Sequence, residues 1–122
     1  MKLSKKLTTM IENADFSIDY EDDNIIDFGK YSPAGQDFHF SIDTENNLDY
    51  FLMNILSSYQ DFDVSYETSL WIGSDGHGKN GAPYEINDIY EDMEECHGFI
   101  IELYNIVEKY IKQIRRKCRC HY

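Results

Sequence analysis

A chain of 122 residues is the length of one domain and long enough to bury a single core without disulfide or metal staples. Its 42 % apolar content, with ten Tyr and seven Phe, excludes a disordered acidic tail, and no apolar run approaches the roughly 18 residues of a membrane span. All 23 Asp and Glu fall between Glu12 and Glu108, where they meet only Lys30 and Lys79, so this span carries −21 and the nine cations at the two ends bring the chain to −12; such a body repels phosphate and is steered toward basic surfaces.

The basic N-terminus lacks a continuous apolar stretch and a small-residue cleavage site, so it reads as mature protein and the chain as cytoplasmic. Leu3, Leu7, Met10, Ile11 and Ala14 trace a helical face, with Ser4 as N-cap. The period then changes to two. Phe16, Ile18 and Tyr20 alternate with Ser17, Asp19 and Glu21, as in a half-buried strand. Asp22-Asp23-Asn24 is a turn, a second strand covers Ile25 to Tyr31, and Ser32-Pro33-Ala34-Gly35 is another turn, with Gly35 free to take positive φ. A third strand, Asp37 to Ile42, puts Phe38, Phe40 and Ile42 on one face, completing an antiparallel meander.

Thr44 suits the N-cap of a second helix, Glu45 to Tyr59, whose apolar face is Leu48, Phe51, Leu52, Ile55, Leu56 and Tyr59. Tyr66 to Ile72 reads as a fourth strand, and Gly73 to Pro83 as a glycine-rich loop. One long helix follows, Tyr84 to Ile114, with a stripe through Ile86, Ile89/Tyr90, Met93, His97, Ile100, Leu103/Tyr104, Val107, Ile111 and Ile114. Its length, about 45 Å at 1.5 Å per residue, exceeds the roughly 27 Å expected for a globule of this size, so the remaining elements should pack on the stripe with one end overhanging. The expected fold is α+β: a small antiparallel sheet of three to four strands against two or three helices. Residues 1–114 form the domain and 115–122 a basic tail.

Enzyme chemistry finds little support. Gly73 to Lys79 spells G-x-x-x-x-G-K, but Asn80 replaces the hydroxyl residue that ligates magnesium, and Gly81, Ala82 and Pro83 separate the motif from the helix. Cys118-x-Cys120 is too close-spaced for a zinc module, and three Cys make no disulfide framework, so no metal or cofactor is expected. Glu91, Asp92, Glu94 and Glu95 form a dense acidic patch on the long helix, either a solvated face or a protein-binding one. Trp71, His77, Lys79 and Tyr84 bracket the glycine-rich loop and suit an interface, although Trp71 equally suits the core. Arg115, Arg116, Lys117 and Arg119 make the tail basic enough to touch RNA or an acidic partner.

Two strings, FGKYSPAGQDFHF (Phe28 to Phe40) and SLWIGSDGHGKNGAPY…DMEEC (Ser69 to Cys96), resemble a family of small acidic proteins of phages and mobile elements that includes anti-CRISPR proteins. The resemblance covers about half of the chain. It implies a non-enzymatic inhibitor that binds a type II or type VI CRISPR effector nuclease directly, in the bacterial cytoplasm. The acidic helix face and the glycine-rich loop would be its contact surface. The alternative is another nucleic-acid mimic directed against a different defence protein, or a small regulatory adaptor of a mobile element.

Overall fold

The computed structural model describes residues 1–75 and 85–119, with side chains through 73 and from 85 to 116. In chain order the elements are α1 (Lys5–Asn13), β1 (Ser17–Glu21), β2 (Ile25–Tyr31), β3 (Asp37–Asp43), α2 (Leu48–Asp61), α3 (Val64–Asp75) and α4 (Ile86–Arg119). The strands form an antiparallel sheet in the order β1-β2-β3. The fold is α+β, as the sequence pattern indicates.

Helix α4 is the platform. Its 34 residues span about 51 Å. Ile89, Met93, Cys96, Ile100, Leu103, Val107 and Ile111 form its buried line, whereas Ile86 and Ile114 at the ends of the apolar stripe are exposed. Against the central part pack Leu7 and Ile11 of α1, Ile26 and Phe28 of β2, Ile42 of β3, and Phe51 and Ile55 of α2. Phe28 links the layers, its ring stacking on Phe40 at 5.5 Å and on Phe51 at 6.1 Å between centroids. Such pairs add about 0.5–1.5 kcal/mol each beyond the area they bury.

Both hairpins follow their turn chemistry. Asp22 Oδ1 accepts from the amides of Asn24 (2.8 Å) and Ile25 (2.9 Å). In the second, the Gly35 amide donates to Ser32 O, Gly35 takes φ of 89°, and the Ser32 amide donates to Gln36 O. This is a three-residue loop closed by a left-handed glycine.

Three expectations are corrected. The segment Tyr66 to Ile72 is not a fourth strand but lies in α3, where Asp63 Oδ1 caps the first turn by accepting from the Tyr66 amide (3.1 Å). Its apolar residues lie on no single side of the helix: Thr68 is buried while Tyr66 and Leu70 are exposed. The second helix is capped by Asn47, not Thr44; Thr44 is buried and its amide still pairs with Asn24 O at the end of the sheet. Glu45 and Asn46, both at positive φ, then turn the chain. In β1 the register slips between Ile18 and Tyr20. This bulge breaks the alternation, so Tyr20 faces solvent and Glu21 turns to accept from the Leu3 amide (2.8 Å).

Helix α4 also continues through Arg119, beyond Ile114, so the basic segment begins as its last turn.

Candidate functional site

The acidic patch on α4 divides into two by helical phase. Asp88, Glu91 and Glu95 recur at steps of three and four and are exposed together, and Glu94 is exposed beside them. They rise along the axis by about 4.5 and 6 Å per step, wider than the roughly 3.4 Å per phosphate of one DNA strand. Pro33 and Ala34 of the second hairpin complete a recess lined by Asp88, Glu91, Asp92 and Glu95.

Asp92 belongs to the other side. It is 6 % exposed. Its carboxylate accepts from the Ser32 hydroxyl, the Ala34 amide (3.1 Å) and the Gln36 side-chain amide. Ser32 Oγ in turn accepts from the Gln36 amide (2.8 Å). Asp92, expected among the partner contacts, is instead seen buried, with its carboxylate holding the β2–β3 turn against α4. The same geometry ties together the two strings that carry the family resemblance, since Ser32, Ala34 and Gln36 come from one and Asp92 from the other.

Lys30 is the only Lys or Arg among the described residues between Glu12 and Glu108. It faces inward. Its side chain is 13 % exposed, and Nζ donates to Glu102 and to Ala14 O (2.8 Å) at the C-terminal end of α1. Nζ also lies 4.6 Å and 4.7 Å from the ring centres of Phe16 and Phe99. Asp88, Glu91, Glu94 and Glu95 thus have no neighbouring Lys or Arg from this span among the described residues.

The sheet face turned away from the helices is polar. His39 sits between two carboxylates, Nδ1 3.0 Å from Asp19 and Nε2 2.9 Å from Asp37. The hydrogen bond to Asp37, aided by the charges of Asp37 and Asp19 against a desolvation cost, raises the His39 pKa. Both bonds form together only when the imidazole is protonated, since each needs its ring nitrogen to carry the hydrogen. Gly29 lies beneath: a Cβ there would come within 2.7 Å of Ser17 Oγ and 2.8 Å of Asp19 Oδ2. Asp27 accepts from the Ser41 hydroxyl on the same face.

Trp71 stands on α3, partly exposed, beside Leu70, Met93 and Phe38; its indole nitrogen is buried with no acceptor among the described residues. His77, Lys79 and Tyr84 lie outside the described residues, as does most of the glycine-rich loop. Arg115 donates to Asp49 of α2 at 2.6 Å and is exposed, as is Arg116. Lys117 and Arg119 fall in the last turn of α4, beyond the described side chains.

Two other reactive residue types are occupied structurally. Cys96 is buried in the α4 line, and burial pushes its thiol up to about 12, where almost no thiolate exists at neutral pH. His97 stacks on Tyr59 and Phe62 (4.2 and 4.9 Å between ring centres), with Nε2 2.8 Å from Tyr59 O. The structural role of Asp92 was not visible in the sequence, where it sits among three exposed acids. The crowding around His39 had one sequence signal, a glycine in mid-strand.

In comparisons with known proteins, no protein family, curated protein or solved structure matches the chain. Among the described residues no helix is long and apolar enough to cross a membrane.

Proposed function

We propose that the chain is a non-enzymatic inhibitor that docks, by its acidic surface, in the basic nucleic-acid channel of an RNA-guided CRISPR effector nuclease of type II or type VI in the bacterial cytoplasm. One observation carries the binding mode. Between Glu12 and Glu108 the only described Lys or Arg is turned inward, while Asp88, Glu91, Glu94 and Glu95 stand exposed on one stretch of rigid helix. Carboxylates held in a row on a helix can meet Lys and Arg side chains arranged for a nucleic-acid backbone. The nuclease as target is supported by the family resemblance of the hairpin and loop strings. Association would be fast and salt-sensitive.

The alternative target, a different basic nucleic-acid-binding defence protein, is favoured by the Asp92 contact. Ser32, Ala34, Gln36 and Asp92 are residues of the resemblance, and they serve the fold. The shared strings therefore support the architecture more directly than the target.

The test is a pull-down against type II and type VI effectors, each with and without guide RNA, at 0.15 M and 0.5 M salt, followed by a cleavage assay. Binding in one guide state, weakened at 0.5 M salt and by the combined E91Q, E94Q and E95Q changes, supports the reading. Absence of binding and inhibition with every effector at micromolar protein refutes the CRISPR assignment. Capture of a basic DNA-binding protein without guide RNA would support the alternative.

A further inference from the structure

The free edge of β3 has the form of a docking site for an extended peptide. β3 is an outer strand, and its register with β2 is regular from Ile25–Asp43 to Tyr31–Asp37. The other outer strand, β1, is shorter and bulged, a device that blunts an edge. The flanking hydrogen bonds fix the phase of the ladder. The Ser32 amide bonds Gln36 O at one end, and the Thr44 amide bonds Asn24 O at the other. Bonded pairs alternate along an antiparallel ladder, so Phe38, Phe40 and Ile42 bond to β2. Asp37, His39 and Ser41 aim their backbone N–H and C=O groups outward. At the far end, Asp43 O accepts from the side chain of Asn54 (2.8 Å), which occupies the place a partner's amide would take.

Along this edge runs a groove of about 460 Å³, walled by β3 and by Asn54, Ser57 and Ser58 of α2, with Phe62 and Ile100 also lining it. A second recess of about 270 Å³ adjoins it through Phe38, His39 and Glu67 and ends at Leu70, Trp71 and Met93. The seven residues of β3 span about 23 Å. The groove is therefore long enough for a short strand, with apolar side chains available where alternate residues of a guest would point inward.

The charge of the walls selects the guest. Asp37, Asp43, Asp61 and Glu67 line the two recesses, no Lys or Arg is among the described lining residues, and the one basic side chain there, His39, is already held between Asp19 and Asp37. A second copy of β3 would bring its own Asp37 and Asp43 against these carboxylates, and like charges directly opposed destabilise pairing. We propose that the β3 edge takes up an extended Lys- or Arg-bearing segment of the partner protein as an added fourth strand. Backbone hydrogen bonds would supply affinity, and the groove acids the preference for basic side chains. This deepens the reading that the partner presents a basic surface, and adds to the α4 face a second point of attachment.

The probe is the capped peptide Lys-Val-Lys-Val-Lys-Val-Lys, titrated into the full chain at 0.15 M salt and followed by amide NMR shifts. Controls are the same peptide N-methylated at alternate amides and its Glu counterpart. The expected result is shifts centred on Asp37, His39 and Ser41, lost on N-methylation and absent with Glu. Ser41→Pro removes an outward N–H and spares the backbone hydrogen bonds to β2, at the loss of the Ser41–Asp27 side-chain bond, and should weaken binding by about tenfold or more; the Asp61→Lys, Glu67→Lys pair, which leaves that bond in place, should do the same through charge. Shifts centred on α4, affinity indifferent to N-methylation, peptide-independent dimerisation through β3, or no binding at millimolar peptide would each overturn the proposal. Nuclease inhibition unchanged by Ser41→Pro would also overturn it while leaving the inhibitor reading intact. Loss of all nuclease binding by the unaltered chain would refute that reading instead.

Discussion

Replacing Asp92 by Asn separates the structural from the exposed acids of α4. The carboxylate is 6 % exposed and receives three donors, from Ser32, Ala34 and Gln36. Asn keeps the shape and one acceptor oxygen but turns an NH₂ group toward one or more of these donors. Hydrogen bonds to a charged group contribute about 1.5–3 kcal/mol each, and a buried donor left unpaired costs about 1–3 kcal/mol. These effects overlap within one network, so the expected loss is about 2–4 kcal/mol. That is a large part of the roughly 5–15 kcal/mol that holds a domain of this size together. At about 4 °C per kcal/mol, Tm should fall by about 8–16 °C. Paired urea and thermal unfolding curves of D92N, E91Q and E95Q supply the measurement. The two exposed variants should stay within about 0.5 kcal/mol of the parent. If D92N did as well, the hairpin would not be anchored through Asp92 and the division of the acidic patch would be wrong.

On the sheet's outer face, an NMR titration should find the His39 pKa above 6.5, and Asp37→Asn should lower it. Because the folded value is raised, its contribution to stability is fully present below about pH 6.5 and is lost as pH rises through the folded pKa; a pH series in which D37N and the parent diverge only at high pH would contradict this. Gly29→Ala places a Cβ within 3 Å of Ser17 Oγ and Asp19 Oδ2, so it should cost about 1–3 kcal/mol and move the His39 pKa back toward its ordinary value. An unchanged His39 titration in G29A would mean that Asp19 does not crowd Gly29. With Cys118 and Cys120 replaced by Ser, Cys96 at about 12 has roughly one thiolate in 10⁴ at pH 8; it should resist iodoacetamide in the native protein and label readily in urea, and rapid native labelling would place it outside the core.

What was legible in the sequence followed from periodicity over long segments. The α4 stripe, the Phe38–Phe40–Ile42 face and the Gly35 turn were all readable because each repeats a simple spacing or needs a special residue. The strand expected at Tyr66 to Ile72 is helix instead: its apolar residues follow neither the helical nor the strand period cleanly, and the cap on its first turn is a single carboxylate, that of Asp63. The parity of β1 was lost at the Ile18–Tyr20 bulge, where one extra residue transfers every later side chain to the opposite face. Of the candidate site, the acidic face was visible as composition. The identity of its buried member was not, because Asp92 differs from Glu91 and Glu95 only in phase and in what the distant hairpin offers it.

Formal charge therefore overstates what a partner meets, and in a directed way. Asp92 is withdrawn into the hairpin network, Glu102 is paired with Lys30, and Asp19 and Asp37 bracket His39. Glu21 and Asp22 hold backbone amides at Leu3, Asn24 and Ile25. The carboxylates with no such commitment among the described residues include Asp88, Glu91, Glu94 and Glu95 on α4 and Asp61 and Glu67 on the groove. A surface that were acidic only for solubility would need no such segregation, since scattered exposed charges of either sign keep a small domain soluble. Here Lys30, the one described Lys or Arg of the span, is drawn inward while Asp88, Glu91, Glu94 and Glu95 stay exposed on α4 and Asp61 and Glu67 line the groove. Charge of one sign gathered in this way raises the rate of encounter with a basic surface, and the helix and strand edge beneath it supply the rigidity that converts encounter into a fixed orientation.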